Sequence, residues 1–93
     1  MLTLDAAVQL PAHVSFAFVR EQAVLLNMKT NHYYRLDEVG ARFWELLRDG
    51  RSLRGAYQGI LEEYQVEPAQ LEQDLLELLA HLQENGLVEI TPA

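Results

Sequence analysis

Apolar and polar residues change rhythm along this 93-residue chain, and the changes mark out its elements. From His13 to Arg20, Val14, Phe16 and Phe18 alternate with Ser15 and Ala17, the period-two pattern of a half-buried strand. Glu21-Gln22 can turn the chain back into Ala23–Met28, a second and more uniformly apolar strand. The polar break Lys29-Thr30-Asn31 is long enough for a hairpin loop into a third strand, His32–Leu36, whose adjacent tyrosines favour an extended segment. Ahead of this meander, Leu2, Leu4, Val8 and Leu10 are scattered and Pro11 closes the stretch. Residues 1–12 therefore read as a lead-in holding a few residues of edge strand, and 13–93 as one domain.

After Leu36 the period lengthens to that of a helix. Asp37 can accept from the free backbone N–H groups that open one, and Val39, Phe43, Leu46 and Leu47 then share a face until Gly50. Gly40 and Trp44 lie four apart on its flank, where the bare glycine can admit the indole or a neighbouring backbone; Trp44 itself reads as a core residue. Ser52 caps a second helix with Leu53, Ala56, Tyr57, Ile60, Leu61 and Tyr64 in one arc, and Gly55 and Gly59 on the other side. Pro68 suits the first turn of a third, whose core arc is Leu71, Leu75, Leu78, Leu79 and Leu82. Asn85-Gly86-Leu87 has the form of a Schellman ending, with Leu87 reaching back to Leu82, and Leu87–Ile90 continues as an extended tail.

Charge is unevenly placed. All seven basic residues lie at or before Arg54, with six acidic ones; from Gly55 onward there are eight acidic residues and no basic one. Such a surface repels phosphate backbones and suits a basic peptide. Cysteine is absent, which excludes disulfides, thiolate metal sites and a thiol nucleophile. The N-terminus lacks a signal-peptide pattern and no stretch approaches a membrane span, so the cytoplasm is the expected location.

The search for reaction chemistry finds little. His13, His32 and His81 fall on separate elements with no metal-ligand spacing, and no phosphate-binding or nucleophile-elbow motif is present. Glu62-Glu63 and Glu72, Asp74 and Glu77 have the spacing of a solvated helix face. The chain is therefore expected to be a non-catalytic protein without cofactor or metal. Strands beside three helices are compatible with an α+β winged helix-turn-helix, a three-stranded antiparallel sheet on a three-helix bundle. DNA binding is disfavoured, because the third helix has no Arg or Lys and carries Glu72, Asp74, Glu77 and Glu84.

A strand that runs straight into a helix has one sequence neighbour to pair with, and an open edge accepts a peptide as an added strand. Pleat alternation puts His32, Tyr34 and Leu36 on one face and Tyr33 and Arg35 on the other. Tyr34 with the flank of the third helix can form an anchor pocket; a sheet whose tyrosines bind nothing, or a dimer formed through the aromatic strand, is the other reading.

The order of these pieces resembles the PqqD-like proteins, also called RiPP recognition elements. The resemblance spans about residues 13–90 and rests on Leu36-Asp37, Val39-Gly40-Ala41, Phe43-Trp44-Glu45-Leu46-Leu47, Asp49-Gly50, Tyr64-Gln65-Val66, Asp74-Leu75, Leu82 and Gly86-Leu87-Val88. It implies a protein that binds the leader of a ribosomally made precursor peptide as an extra strand between the third strand and the third helix. The strand side would be Tyr33, Tyr34, Arg35 and Leu36, and the helix side Leu71, Asp74, Leu75 and Leu78, with Asp74 available to a leader Lys or Arg. Leu71, Leu75 and Leu78 also belong to the core arc, and Leu76 on the other flank is the spare candidate. Tyr-Tyr-Arg-Leu-Asp-Glu-Val-Gly-Ala followed by Phe-Trp-Glu-Leu-Leu is similar to the lasso-peptide members, which hand the precursor to a separate leader peptidase. Members from pyrroloquinoline quinone clusters work instead with a radical SAM enzyme. A monomer or weak homodimer is expected, with no nucleic-acid or membrane partner.

Overall fold

The computed structural model describes residues 2–20 and 22–92. In chain order its elements are β1 (Ala7–Gln9), β2 (Val14–Val19), β3 (Gln22–Asn27), β4 (His32–Leu36), α1 (Glu38–Arg48), α2 (Leu53–Glu63), α3 (Pro68–Glu84) and β5 (Glu89–Thr91). The expected meander and three helices are present, an α+β architecture. Of the turn expected at Glu21-Gln22, Glu21 lies outside the described residues and Gln22 opens β3.

Strands β2, β3 and β4 form an antiparallel sheet in that order. Phe16, Leu25 and Tyr34 make one row across it, and Phe18, Ala23 and Leu36 the next. This face lies on the helices, where Leu25, Phe43, Leu46, Leu53, Ile60, Leu79, Leu82 and Leu87 are sealed from solvent. Trp44 is buried, as a core residue should be. Phe18 departs from the half-buried pattern: it is 61% exposed at the outer end of β2, with its ring edge-on to Phe16. The lead-in and the tail, separate in the sequence reading, pair with each other in a second sheet that matches Ala7 with Thr91 and Gln9 with Glu89. Leu4 and Ala6 before β1 are buried in the core.

Side-chain caps set the helix starts. Asp37 accepts from Gly40 N–H at 2.7 Å, Ser52 from Gly55 N–H at 3.0 Å and Glu67 from Gln70 N–H at 2.6 Å. The end of α3 is the Schellman motif expected there: Gly86, at φ +70°, donates to the Gln83 carbonyl and Leu87 to that of Leu82. Two glycines are explained by contacts the sequence does not reveal. A Cβ on Gly59 would lie 2.9 Å from Leu46 Cδ1, so the missing side chain lets α2 approach α1. A Cβ on Gly40 would meet Asp37 Oδ1 at 3.1 Å and Leu36 Cδ2 at 3.4 Å, so the space serves the strand-to-helix corner and not the Trp44 indole.

Polar ties fix the helices to the sheet and to one another. Asn27, buried at the end of β3, donates from Nδ2 to the Asn85 carbonyl at 3.0 Å and accepts Lys29 N–H at Oδ1, also at 3.0 Å. His13 Nε2 lies 2.9 Å from the Gly86 carbonyl, and since a carbonyl only accepts, that nitrogen carries the proton. At the other end of α3, the Tyr57 hydroxyl donates to the Pro68 carbonyl. Arg42 on α1 grips the Glu63 carboxylate at the end of α2 through three hydrogen bonds of 2.8–3.1 Å. The bonds from Arg42 hold the Glu63 carboxyl below its ordinary range.

Two predictions follow from these ties. Replacing Asn27 by Leu strands the Asn85 carbonyl and the Lys29 N–H and should lower the unfolding free energy by about 1–3 kcal/mol, measured by urea titration. Because the folded state depresses the Glu63 pKa, its contribution is present above the unfolded pKa and is lost as pH falls through the folded one. Glu63→Gln should therefore lose stability less steeply than the parent on acidification.

Candidate functional site

The corner at Leu36-Asp37 is the starting point of the site. Ending β4 in a capped helix leaves the strand paired with β3 alone among the described residues. Which peptide groups face the open edge follows from the ladder. Met28 N–H donates to the His13 carbonyl at 2.8 Å, and in antiparallel sheets such bonded pairs alternate with non-bonded ones. Carried along the register, Leu26, Val24 and Gln22 turn their peptide groups to β2, whereas Asn27, Leu25 and Ala23 turn theirs to β4. Tyr34 and Leu36 therefore bond back to β3, and the N–H and C=O groups of Tyr33 and Arg35 point outward.

Beside this edge runs a groove of about 570 Å³ between β4 and α3. Tyr34, Arg35 and Leu36 form its strand side, and Asp37, Val39 and Gly40 its corner. Leu71, Asp74, Leu75 and Leu78 form the helix side. Seven of the eight residues carried over from the resemblance thus line one space. Tyr33 does not: its side chain is 71% exposed on the opposite face, and what it turns to the edge is main chain. Leu71 and Leu75 are buried and also serve the core, while Leu78 and Tyr34 are half-buried at the groove surface. The core arc and the groove wall therefore overlap in the same residues. Leu76 lies on the far flank of α3, outside the groove.

The sequence reading missed the end formed by Val66, Glu67 and Gln70. Val66 in the α2–α3 connection is 37% exposed, an apolar residue in a loop, and that was the available signal. Of the three groove carboxylates, Asp37 and Glu67 are engaged in capping. Asp74 accepts only an amide N–H from Gln70 at 2.8 Å and makes no ion pair among the described residues, as is also true of Arg35. The groove therefore has an apolar floor, a row of unpaired peptide groups on one side and one available anion on the other.

The far face of the sheet is also apolar. Ala17, Val19, Val24, Leu26, Met28 and Tyr33 point away from the helices, and Val19 and Met28 are about half exposed. No three His, Asp or Glu side chains gather closely enough to hold a metal ion among the described residues. No described helix is long and apolar enough to cross a membrane.

A family model for coenzyme PQQ synthesis protein D (PqqD) matches residues 22–88, from the first residue of β3 to the residue before β5. The chain belongs to the PqqD family. Two solved structures place it more closely. TbiB1 in complex with the TbiA(beta) leader peptide superposes on this PqqD-family chain with a TM-score of 0.79 and 33% identity, covering 87% of this chain and 94% of TbiB1. Lasso peptide synthetase B1, complexed with the leader peptide, gives 0.79 and 30%, covering 89% and 98%. The search of curated proteins returned no match.

Hydrogen exchange tests the edge assignment. In this PqqD-family chain the amides of Tyr33 and Arg35 should exchange within the fast set, and those of Tyr34 and Leu36 with the protected sheet.

Proposed function

We propose that this chain is a non-catalytic adaptor that captures the leader of a ribosomally made precursor peptide and presents the precursor to a processing enzyme in lasso-peptide biosynthesis. The observation that carries the reading is the groove itself: an open strand edge facing an apolar helix flank, in a chain about one-third identical to proteins solved with leader peptides. The leader would add to β4 as a further strand, bonding to the outward groups of Tyr33 and Arg35. Its apolar side chains would sit among Tyr34, Leu36, Leu71, Leu75 and Leu78, and a Lys or Arg against Asp74.

Magnitudes show why both walls are needed. Four main-chain bonds at roughly 0.5–1.5 kcal/mol each supply about 2–6 kcal/mol, which matches only the lowest part of the ~4–15 kcal/mol cost of association. Two buried apolar side chains at about 1.5–3 kcal/mol each raise the gross gain to about 5–12 kcal/mol, which can exceed that cost. The adaptor would then act by tethering, raising the precursor concentration at the enzyme. A leader peptidase is the processing enzyme this reading favours, and the exposed apolar sheet face gives it a surface separate from the groove. The cytoplasm, where the precursor is made, is the corresponding location. The family model's description supports a second reading, a peptide chaperone of pyrroloquinoline quinone synthesis working with a radical SAM enzyme. The likeness to lasso peptide synthetase B1 favours the lasso-peptide assignment.

Fluorescence-polarisation titration with labelled leaders of precursors encoded beside this gene tests the groove. Arg35→Pro removes an outward N–H without touching the β3–β4 ladder and should weaken binding about ten-fold or more, whereas Arg35→Ala should change it less than about three-fold. Equal effects of the two would exclude strand addition. Tyr34→Asp should abolish binding in a folded monomer. On the other face, Val19→Glu should leave leader affinity within about two-fold but lower precursor cleavage by the partner peptidase roughly ten-fold.

A further inference from the structure

Helix α3 has a groove on each flank. The second, also about 570 Å³, runs along the side away from β4, with Leu2, Ala69, Leu76 and Ala80 on its floor and Glu72 and Glu77 at its rim. We propose that this groove takes the continuation of the same peptide that adds to β4, seating an apolar residue on Leu76 and a Lys or Arg between Glu72 and Glu77. The inference rests on the leader-binding reading above and extends it to a second subsite.

Three observations choose this occupant. The grooves adjoin: Gln70 and Asp74 border the first, and their sequence neighbours Ala69 and Gln73 border the second. Only the exposed ridge of α3 separates them. Its width is that of a helix with side chains, about 10 Å, which three or four extended residues can cross. The ridge is polar, with Gln70 donating an amide N–H to Asp74 at 2.8 Å and Gln73 to Glu77 at 3.1 Å.

The second observation is charge. No cationic side chain lines the second groove, and neither Glu72 nor Glu77 makes an ion pair among the described residues. An occupant with a basic residue therefore finds two carboxylates not yet neutralised. The third is the limited length of the first site. Five residues of β4 offer a peptide only about 17 Å of edge, so a longer leader must leave it, and past the first turns of α3 the second groove is the next apolar surface.

The test is a fluorescence-polarisation titration of the full chain with two fluorescein-labelled synthetic leaders from the neighbouring precursor gene. One is the shortest segment that retains binding, roughly ten residues; the other is the complete leader. Two exposed ion pairs and one half-buried contact, less the ordering of the added residues, should make the complete leader bind roughly five- to ten-fold tighter. The double variant Glu72→Lys/Glu77→Lys should remove that advantage and leave the short peptide unaffected. Glu84→Lys/Glu89→Lys, the same change of charge outside the groove, should alter neither. Equal affinities for the two peptides, or equal losses in the two double variants, would overturn the second subsite while leaving the first intact. No binding of either peptide would instead remove the reading on which it rests.

Discussion

The structure depends on how the edge of β4 is held relative to α3, and the buried side chain of Asn27 does most to hold it. It is the one polar side chain buried among the described residues, and its amide joins the β3–β4 hairpin to the end of the helix that forms the opposite groove wall. The bond from His13, the residue before β2, to Gly86 repeats the tie. With Tyr57 holding the first turn of α3 at Pro68, the helix is fixed at both ends and cannot settle onto the open strand. A preformed groove spares a ligand the cost of opening it.

Much of this was legible in the sequence because it is local. Asp37, Ser52 and Asn85-Gly86-Leu87 act within a few residues of themselves, so their roles as caps follow from chemistry and spacing alone. The open edge of β4 follows from chain order. What was not legible is long-range. The pairing of β1 with β5 joins segments about 80 residues apart, each only three residues long, and neither has a partner-specific signal. Gly59, costly inside a helix on propensity alone, is explained only by Leu46 packed against it from another helix. The periodicity of α3 placed its leucines on one arc and Leu76 on another flank, but did not say which flank would face β4.

Electrostatics divides the molecule by task. In β2 to β4 the cationic Arg20, Lys29 and Arg35 accompany an apolar outer face, while α3 carries only carboxylates and one histidine. Two carboxylates near the groove also serve as helix caps, and Asp74 adds its charge to theirs. Phosphate is repelled from the helix that a DNA-binding relative would use for contact, and basic peptides are drawn toward it.

The two-stranded sheet of β1 and β5 sets Ala7 beside Thr91. The strands that flank the rest of the fold are therefore clasped together, on a sheet that contributes no residue to the β4 groove. The clasp can thus vary in sequence without changing a residue of the groove lining.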